Sequence, residues 1–441
     1  MDAILKRAGE LKQALTNFVL EAEGELAESL ELYTATQSNR ERFDITQRDL
    51  LIDTFLTEGK VGEKTPLDLF LESQTALCQS DRQLVDSWHS SFIGLFAVTQ
   101  VLREELELMN WLSAKHYRVK LNTSQGQGET SRFKVGEILL TRIAPLSATD
   151  WMFSSPCTFM GNLGKPKLAV AIGNFKRDYK QALYSDAPEL LEQAWQSVEQ
   201  YHQDFLEFFQ TDELTLPGYQ LSKKIAEFQE VLTQKRLAAA GIDSSKSLAE
   251  LAEEAGVSSA ELEATATEAG VDAQVLTQLF DRKNTTKMVA PKVELPADLK
   301  KAEQVTVLTH PRWGQMFLTT YTQFKTILES VDWQTIKGAQ KLLRHYLEDP
   351  AINVFIWHRL AQQHPTELEQ RLQLILERPN FRLEQDLDPL LQEFNKPMEP
   401  ELPEIASVPL HLHNLFQEAL AEVSKKAKGK GKKKIATGFQ R

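Results

Sequence analysis

The chain of 441 residues carries only two cysteines, Cys78 and Cys157. That excludes a disulfide framework and any zinc site built on paired cysteines, and it fits a reducing compartment. No apolar run approaches the roughly 18–20 residues of a membrane span, and the mean hydropathy is −0.35. The opening residues, MDAILKRAGELKQALTNF, mix charge with apolar positions at helical spacing, without the continuous apolar run of a secretory signal. Catalytic signatures are also missing: there is no HExxH, no GxSxG and no Cys–His constellation. A cytoplasmic protein without cofactor, metal or catalytic residues is the expectation, with the periphery of a membrane as the alternative location.

Acid is missing from one place in an otherwise acidic chain. The last stretch, KKAKGKGKKKIATGFQR, contains Lys425, Lys426, Lys428, Lys430, Lys432, Lys433, Lys434 and Arg441 and no carboxylate. The whole chain is at −12, so without those eight cations residues 1–424 stand at −20. Lysine interleaved with glycine buries no apolar surface, so residues 425–441 are expected to be a disordered tail. Such a tail suits a polyanion: RNA, a ribosome, DNA or an anionic membrane.

What is present is mostly helix. Residues 2–34 place Ile4, Leu5, Leu11, Leu15, Phe18, Val19, Leu26 and Leu30 at helical spacing. Thr65–Pro66 before LDLFLES reads as an N-cap followed by proline at the first helical position. From residue 92 the pattern changes. FIGLFAVTQVL (92–102), LELMNWL (106–112), HYRVKL (116–121), EILLTRIAPL (137–146) and DWMFSS (150–155) are rich in β-branched and aromatic residues, with turn signals between them. Five short strands predict a small antiparallel barrel, SH3-like or OB-like. The fold class is therefore α+β and predominantly α-helical, with helical domains around one small barrel.

The domain reading is an N-terminal helical region (1–90), the barrel (91–175), a helical region (176–239), an alanine- and glutamate-rich insertion (240–282), a linker (283–304), a C-terminal helical domain (305–424) and the tail (425–441). Pro350, Pro365, Pro379 and Pro389 are placed at helix starts. Proline-rich MEPELPEIASVP (398–409) is read as an extended strap, ahead of a last helix at 412–423.

The segments from residue 49 to 156, DLLIDTFL, TPLDLFLES, DRQLVDSWHSSFIGLFAV and VGEILLTRIAPLSATDWMFSSP, resemble the helical-plus-barrel region of poorly characterised bacterial proteins that often also carry a zinc-binding SEC-C motif. The resemblance implies this fold over about a quarter of the chain. The Cys-x-Cys and Cys-His or Cys-Cys pairs of SEC-C are absent here, so no zinc is implied.

Several motifs invite a chemical reading. SLAELAEEAGVSSAEL (247–262) has the spacing of a helix-turn-helix, but its second helix carries Glu261, Glu263 and Glu268, and no Lys or Arg lies between Lys246 and Arg282. Phosphate would repel it, so DNA is disfavoured as a partner. Gly161-Asn-Leu-Gly164-Lys165-Pro166 lacks the spacing and the hydroxyl residue of a phosphate loop. Gly126-Gln-Gly128 reads as a flexible hairpin. His411 and His413 share a side only in an extended segment, and His358 and His364 fall on different helix faces. Cys157 reads as a buried small hydrophobe.

The barrel is the most basic folded part. Arg118, Lys120, Arg132, Lys134 and Arg142 alternate with Trp111, Tyr117, Phe133, Trp151 and Phe153. Cations on phosphates and aromatics under bases would suit single-stranded nucleic acid. The competing reading is inside–outside patterning, with the aromatics in the core, and it is favoured. The functional expectation is a non-catalytic adaptor, with helical faces for protein partners and the tail, with or without the barrel surface, for RNA or a ribosome. The alternatives are a membrane-peripheral assembly factor and an enzyme whose site is assembled from scattered residues.

Overall fold

The structure, a computed structural model, describes residues 2–37, 45–121, 132–239 and 288–435. The Gly126–Gly128 hairpin, the 240–282 insertion and Arg441 lie outside the described residues, as do the side chains beyond Val423. The chain folds as two compact units, Met1–Leu191 with Pro409–Arg441, and Glu192–Val408. Among the described residues it contains fifteen α-helices and one closed barrel. No described helix is long and apolar enough to cross a membrane.

The first unit opens with α1 (Asp2–Leu20), α2 (Glu25–Gln37), α3 (Ile45–Glu58), α4 (Pro66–Ser73) and α5 (Gln79–Ser87). Ala8, Leu11, Leu15 and Val19 recur every three or four residues, so α1 presents one apolar stripe. That stripe packs with Phe55 and Leu56 of α3, Leu67 and Phe70 of α4, and Trp88. At the start of α4 the Thr65 hydroxyl accepts the Asp68 N–H, and the Asp68 carboxylate accepts the Thr65 N–H at 2.8 Å. This capping box, with Pro66 in the first turn, is what TPLD encodes.

The barrel strands are β1 (Phe92–Val101), β2 (Glu105–Asn110), β3 (His116–Lys120), β4 (Ile138–Pro145) and β5 (Asp150–Phe153), and β6 (Thr158–Gly161) adds to β4 outside the ring. The order is β1-β2-β3-β5-β4, closed by β1 on β4. This is the way OB-type barrels close. The expected all-antiparallel barrel is corrected in one respect: β3 and β5 run parallel, with Val119 opposite Trp151. Parity requires it, because five strands in a ring cannot all alternate in direction. β1 serves two partners by bending at a bulge between Val98 and Gln100. The interior holds Phe92, Phe96, Leu106, Leu108, Tyr117, Val119, Leu139 and Ile143.

After the barrel come α6 (Lys165–Asp178) and the start of α7 (Pro188–Phe209). The last helix, Leu410–Ile435, here α15, packs on α6, and Lys165 pairs with Glu418 at 2.8 Å. The disorder expected from residue 425 is corrected over 425–435, where the backbone continues the helix. Lysine and alanine are good helix formers, and cations at a helix C-terminus complement its dipole.

The second unit holds most of α7, then β7 (Glu213–Leu216), α8 (Gly218–Ala239), α9 (Ala297–Lys301), β8 (Val305–His310), β9 (Gly314–Leu318), α10 (Tyr321–Glu329), α11 (Ala339–Glu348), α12 (Val354–Gln363), α13 (Pro365–Leu376) and α14 (Leu383–Glu393). A helical domain over 305–424 was expected. Instead β8 and β9 form a hairpin, and β7 joins it on the β8 side. VTVLTH is β-branched at alternate positions, and Gly314 takes a positive φ of 69° as β9 begins. Pro365 starts α13 as expected, whereas Pro350 and Pro379 lie in turns and Pro389 lies inside α14. The core of this unit is aromatic at its centre, with Phe324 stacked on Tyr346 at 4.0 Å beside Trp357.

Two glycines test this packing in opposite directions. A Cβ on Gly218 would lie 1.9 Å from the Leu299 carbonyl oxygen, whereas one on Gly173, inside α6, meets nothing within 4 Å. Gly218→Ala is expected to destabilise the second unit by about 1–3 kcal/mol. Gly173→Ala is expected to stabilise the first by about 0.5–1 kcal/mol. Urea unfolding midpoints check both.

Candidate functional site

The β2–β3 face of the barrel carries two of the five expected surface cations, and each stands among carboxylates. In the ladder Glu105 is opposite Lys120 and Glu107 is opposite Arg118. The Lys120 ammonium is bonded to Glu105 and lies 3.6 Å from Asp150. Its pKa is raised, chiefly by the Glu105 bond. Arg118 lies 3.8 Å from Asp150, and His116 lies 3.2 Å from Glu107. The face is a zwitterionic ladder, with little net positive potential for phosphate.

Arg142 is not a surface residue; it is 0% exposed. Strand alternation does turn it outward from the barrel, but that side of β4 is covered by helices. Its Nε donates to Ser91 Oγ at 3.1 Å. Its Nη2 donates to Thr57 Oγ1 at 2.7 Å and to the Ser91 carbonyl at 3.0 Å. Its Nη1 lies 2.7 Å from Glu58 Oε1. The guanidinium thus joins α3, the turn at Ser91 and β4.

The aromatic residues follow the core reading. Tyr117 is buried and donates to Asp186 Oδ2 at 2.7 Å, which also receives Asn110 Nδ2 at 2.9 Å. Burial, first, and the Asp186 charge push the Tyr117 pKa upward. Trp151 packs edge-on against Tyr117 at 5.1 Å. Trp111 is half-buried, and its carbonyl accepts His411 Nε2 at 2.8 Å.

One edge differs. Phe133, Phe153 and Phe159 form a half-buried cluster, with Phe133 stacked on Phe153 at 5.8 Å and tilted against Phe159 at 5.4 Å. The Arg132 guanidinium lies 5.6 Å from the Phe159 ring centre. Arg132 and Lys134 are exposed, and among the described residues neither has an ion-pair partner. Phe159 was not singled out from the sequence, because β6 lies outside the five-strand pattern.

α6, which follows β6 in the chain, receives the last helix. α15 begins at Trp111 through His411 and reaches Lys165 at Glu418. α6 runs the other way, starting at Lys165, and Asp186, eight residues past its end, accepts from Ser113 and Tyr117. α15 is therefore antiparallel to α6 and passes its N-terminus. There Asn162 lies 3.1 Å from where a Cβ on Gly136 would stand, which closes the Arg132–Gly136 loop against this end of α6. The lysine-bearing turns continue from this side, about 20 Å of helix beyond Glu422 at 1.5 Å per residue.

The other motifs resolve into structure. Gly161 turns with φ 76°, and Gly164 is the N-cap of α6, with Pro166 in its first turn. Cys157 is half-buried, and burial pushes its thiol up to about 11, unsuited to a nucleophile. His411 and His413 lie on a helix, two residues apart. His358 bonds Asp388 at 2.6 Å, and His364 lies 3.8 Å from Glu329. Among the described residues no group of three metal-ligating side chains converges.

In the second unit, Arg359 holds Asp212 with two bonds of 2.6 and 3.0 Å and reaches Glu213 at 3.2 Å. Nearby, His202 faces Thr309 at 3.3 Å, and His310 Nδ1 accepts the N–H groups of Arg312 and Trp313 at 3.1 and 3.2 Å. Both histidines titrate lower than usual, first through burial; Asp212 opposes the shift at each. No family model, curated protein or solved structure matches the chain.

Two predictions follow from these environments. Arg142→Met is expected to cost about 3 kcal/mol, because it removes one member of a buried charged network. Arg118→Met, on the exposed ladder, is expected to stay within about 0.5 kcal/mol; urea titration separates them. The depressed histidines mean that the unfolded chain binds protons first, so the second unit loses stability as pH falls below about 6.5. Amide exchange of Val305–Leu308 is expected to speed up between pH 7 and 5.5 after correction for intrinsic rates, and less so in His202→Gln.

Proposed function

We propose that this protein is a non-catalytic adaptor that binds single-stranded RNA through one edge of its first unit. The observation that supports the reading is exposed Arg132 and Lys134 beside the Phe133–Phe153–Phe159 cluster, in the unit that also carries the helix leading into Lys425–Lys434. Elsewhere on the barrel Lys120 and Arg118 lie beside carboxylates and Arg142 is buried. The lysines supply sequence-independent attraction, and partly open rings offer bases a stacking surface. Free single strands suit such a surface better than duplexes, whose bases are already stacked. Helical faces remain for protein partners, and a ribosome is one RNA-rich partner of matching charge.

Fluorescence anisotropy with a labelled single-stranded RNA tests this. Truncation after Ser424 should weaken binding and flatten its salt dependence by about 0.7 per lost phosphate contact. Phe159→Ala should weaken binding by about tenfold, the worth of one stacked base. Unchanged binding by the truncated chain would overturn the proposal. Binding to phosphatidylserine vesicles but not to RNA would replace it with a membrane tether.

A further inference from the structure

Two helices of the first unit each keep one face uncovered, and the two faces match. α2 buries Leu26 and turns Glu25, Glu28, Leu32 and Ala35 to solvent. α6 buries Leu168, Ala171, Ile172 and Phe175 and turns Val170, Gly173, Asn174 and Arg177 to solvent, with exposed Lys180 just past its end. Leu32 is 68% exposed and Val170 63%, so neither apolar side chain has a seat within its own chain. Single exposed apolar residues are ordinary; the spacing distinguishes these. Glu25, Glu28, Leu32 and Ala35 step by three, four and three residues, which is one stripe along a helix. Val170, Gly173 and Arg177 step by three and four, with Lys180 the next step.

Gly173 is the second observation. Glycine inside a helix is less stable than alanine by roughly 1 kcal/mol. No neighbour in the chain requires it, since a Cβ there would meet nothing within 4 Å. Its effect is a gap in the exposed face of α6, between Val170 and Arg177. A leucine from a facing helix fills such a gap as a ridge fills a groove.

Charge fixes the direction. The first turn of α2 carries Glu25 and Glu28, and the last turn of α6 carries Lys176 and Arg177. Only an antiparallel pair brings those ends together, and it also sets the two helix dipoles in opposition. With Leu32 on Gly173, that register places Ala35 at Val170, Glu31 at Asn174, Glu28 at Arg177 and Glu25 at Lys180. The parallel register would set Glu28 against Ala169 and Glu25 against Pro166. Within the chain Arg177 bonds its neighbour Asp178 at 3.0 Å, an exposed pair that is worth little and is readily exchanged. Both faces are uncovered in the same chain, so the matching face comes from another copy. We infer that the protein self-associates by antiparallel packing of α2 of one copy on α6 of another, with Leu32 seated on Gly173 and Glu28 paired with Arg177. Each copy offers both faces, so two copies make the contact twice about a two-fold axis. Helix pairs of this length bury little area, which sets the dissociation constant on the order of 10 μM. The contact shares no residue with the RNA edge.

Sedimentation velocity of the full chain over a concentration series, without nucleic acid, tests this. The unmodified chain should shift reversibly from monomer toward dimer, and the shift should shrink as salt rises. Glu28→Arg and Arg177→Glu should each weaken association at least about tenfold, by setting like charges face to face. An equimolar mixture of the two variants should restore it, because the reversed α2 of one then meets the reversed α6 of the other. Gly173→Leu, which occupies the seat of Leu32 on an open helix face, should abolish association and leave the unfolding midpoint equal or higher. A chain that stays monomeric, single reversals without effect, or a mixture that associates no better than either variant alone would overturn the inference. Weaker RNA binding by Arg177→Glu with no association in the unmodified chain would also overturn it, and would give the α6 face to RNA.

Discussion

The first unit depends on one cation turned inward. A guanidinium removed from water is tolerable only if its donors find acceptors, and Arg142, on β4, finds them on two other segments: Thr57 and Glu58 at the end of α3, and Ser91 ahead of β1. Such a network adds little net stability over an apolar contact of the same size, but losing one member leaves the others buried and unpaired. It therefore fixes how the helical layer lies on the barrel. Lys12 feels the same arrangement, because burial and the Arg142 charge both lower its pKa while Asp53 opposes them. An ionic layer, rather than an apolar one alone, lies between α1, α3 and β4.

That constraint decides which part of the barrel is free. The flank of β4 that carries Arg142 is closed, and the β2–β3 ladder is neutralised strand by strand through Glu105, Glu107 and Asp150. The edge of β6 and the Arg132–Gly136 loop differs from both: there the aromatic rings are partly open and the cations lack ion-pair partners among the described residues. A chain with a large negative charge gains from confining its cations to one side, because a polyanion is then attracted there and repelled elsewhere.

Much of the fold was legible because its signals are local. The five barrel strands fall within a few residues of their expected bounds, since alternation and turn residues carry that information, and Thr65-Pro66-Leu67-Asp68 spells its own cap. What was not legible is set by tertiary context. The parallel β3–β5 pair follows from closing an odd ring. Arg142 has the alternation of a surface residue and becomes buried only because α3 covers it. VTVLTH is β-branched and almost wholly buried rather than alternating, the helical segments that follow obscured it, and its partner β7 is distant in sequence. Phe159 joins the candidate edge through a four-residue strand that no periodicity announces.

The central claim is that RNA meets the Phe133–Phe153–Phe159 edge and the lysine-bearing helix, and not the β2–β3 face. Photo-crosslinking of a 4-thiouridine-substituted single-stranded RNA to the full chain, with the modified peptides mapped by mass spectrometry, reads this directly. The account predicts crosslinks in peptides containing Phe133, Phe153 or Phe159 and in those from 425–435. Crosslinks concentrated at Arg118–Lys120, or none at either expected segment, would contradict it.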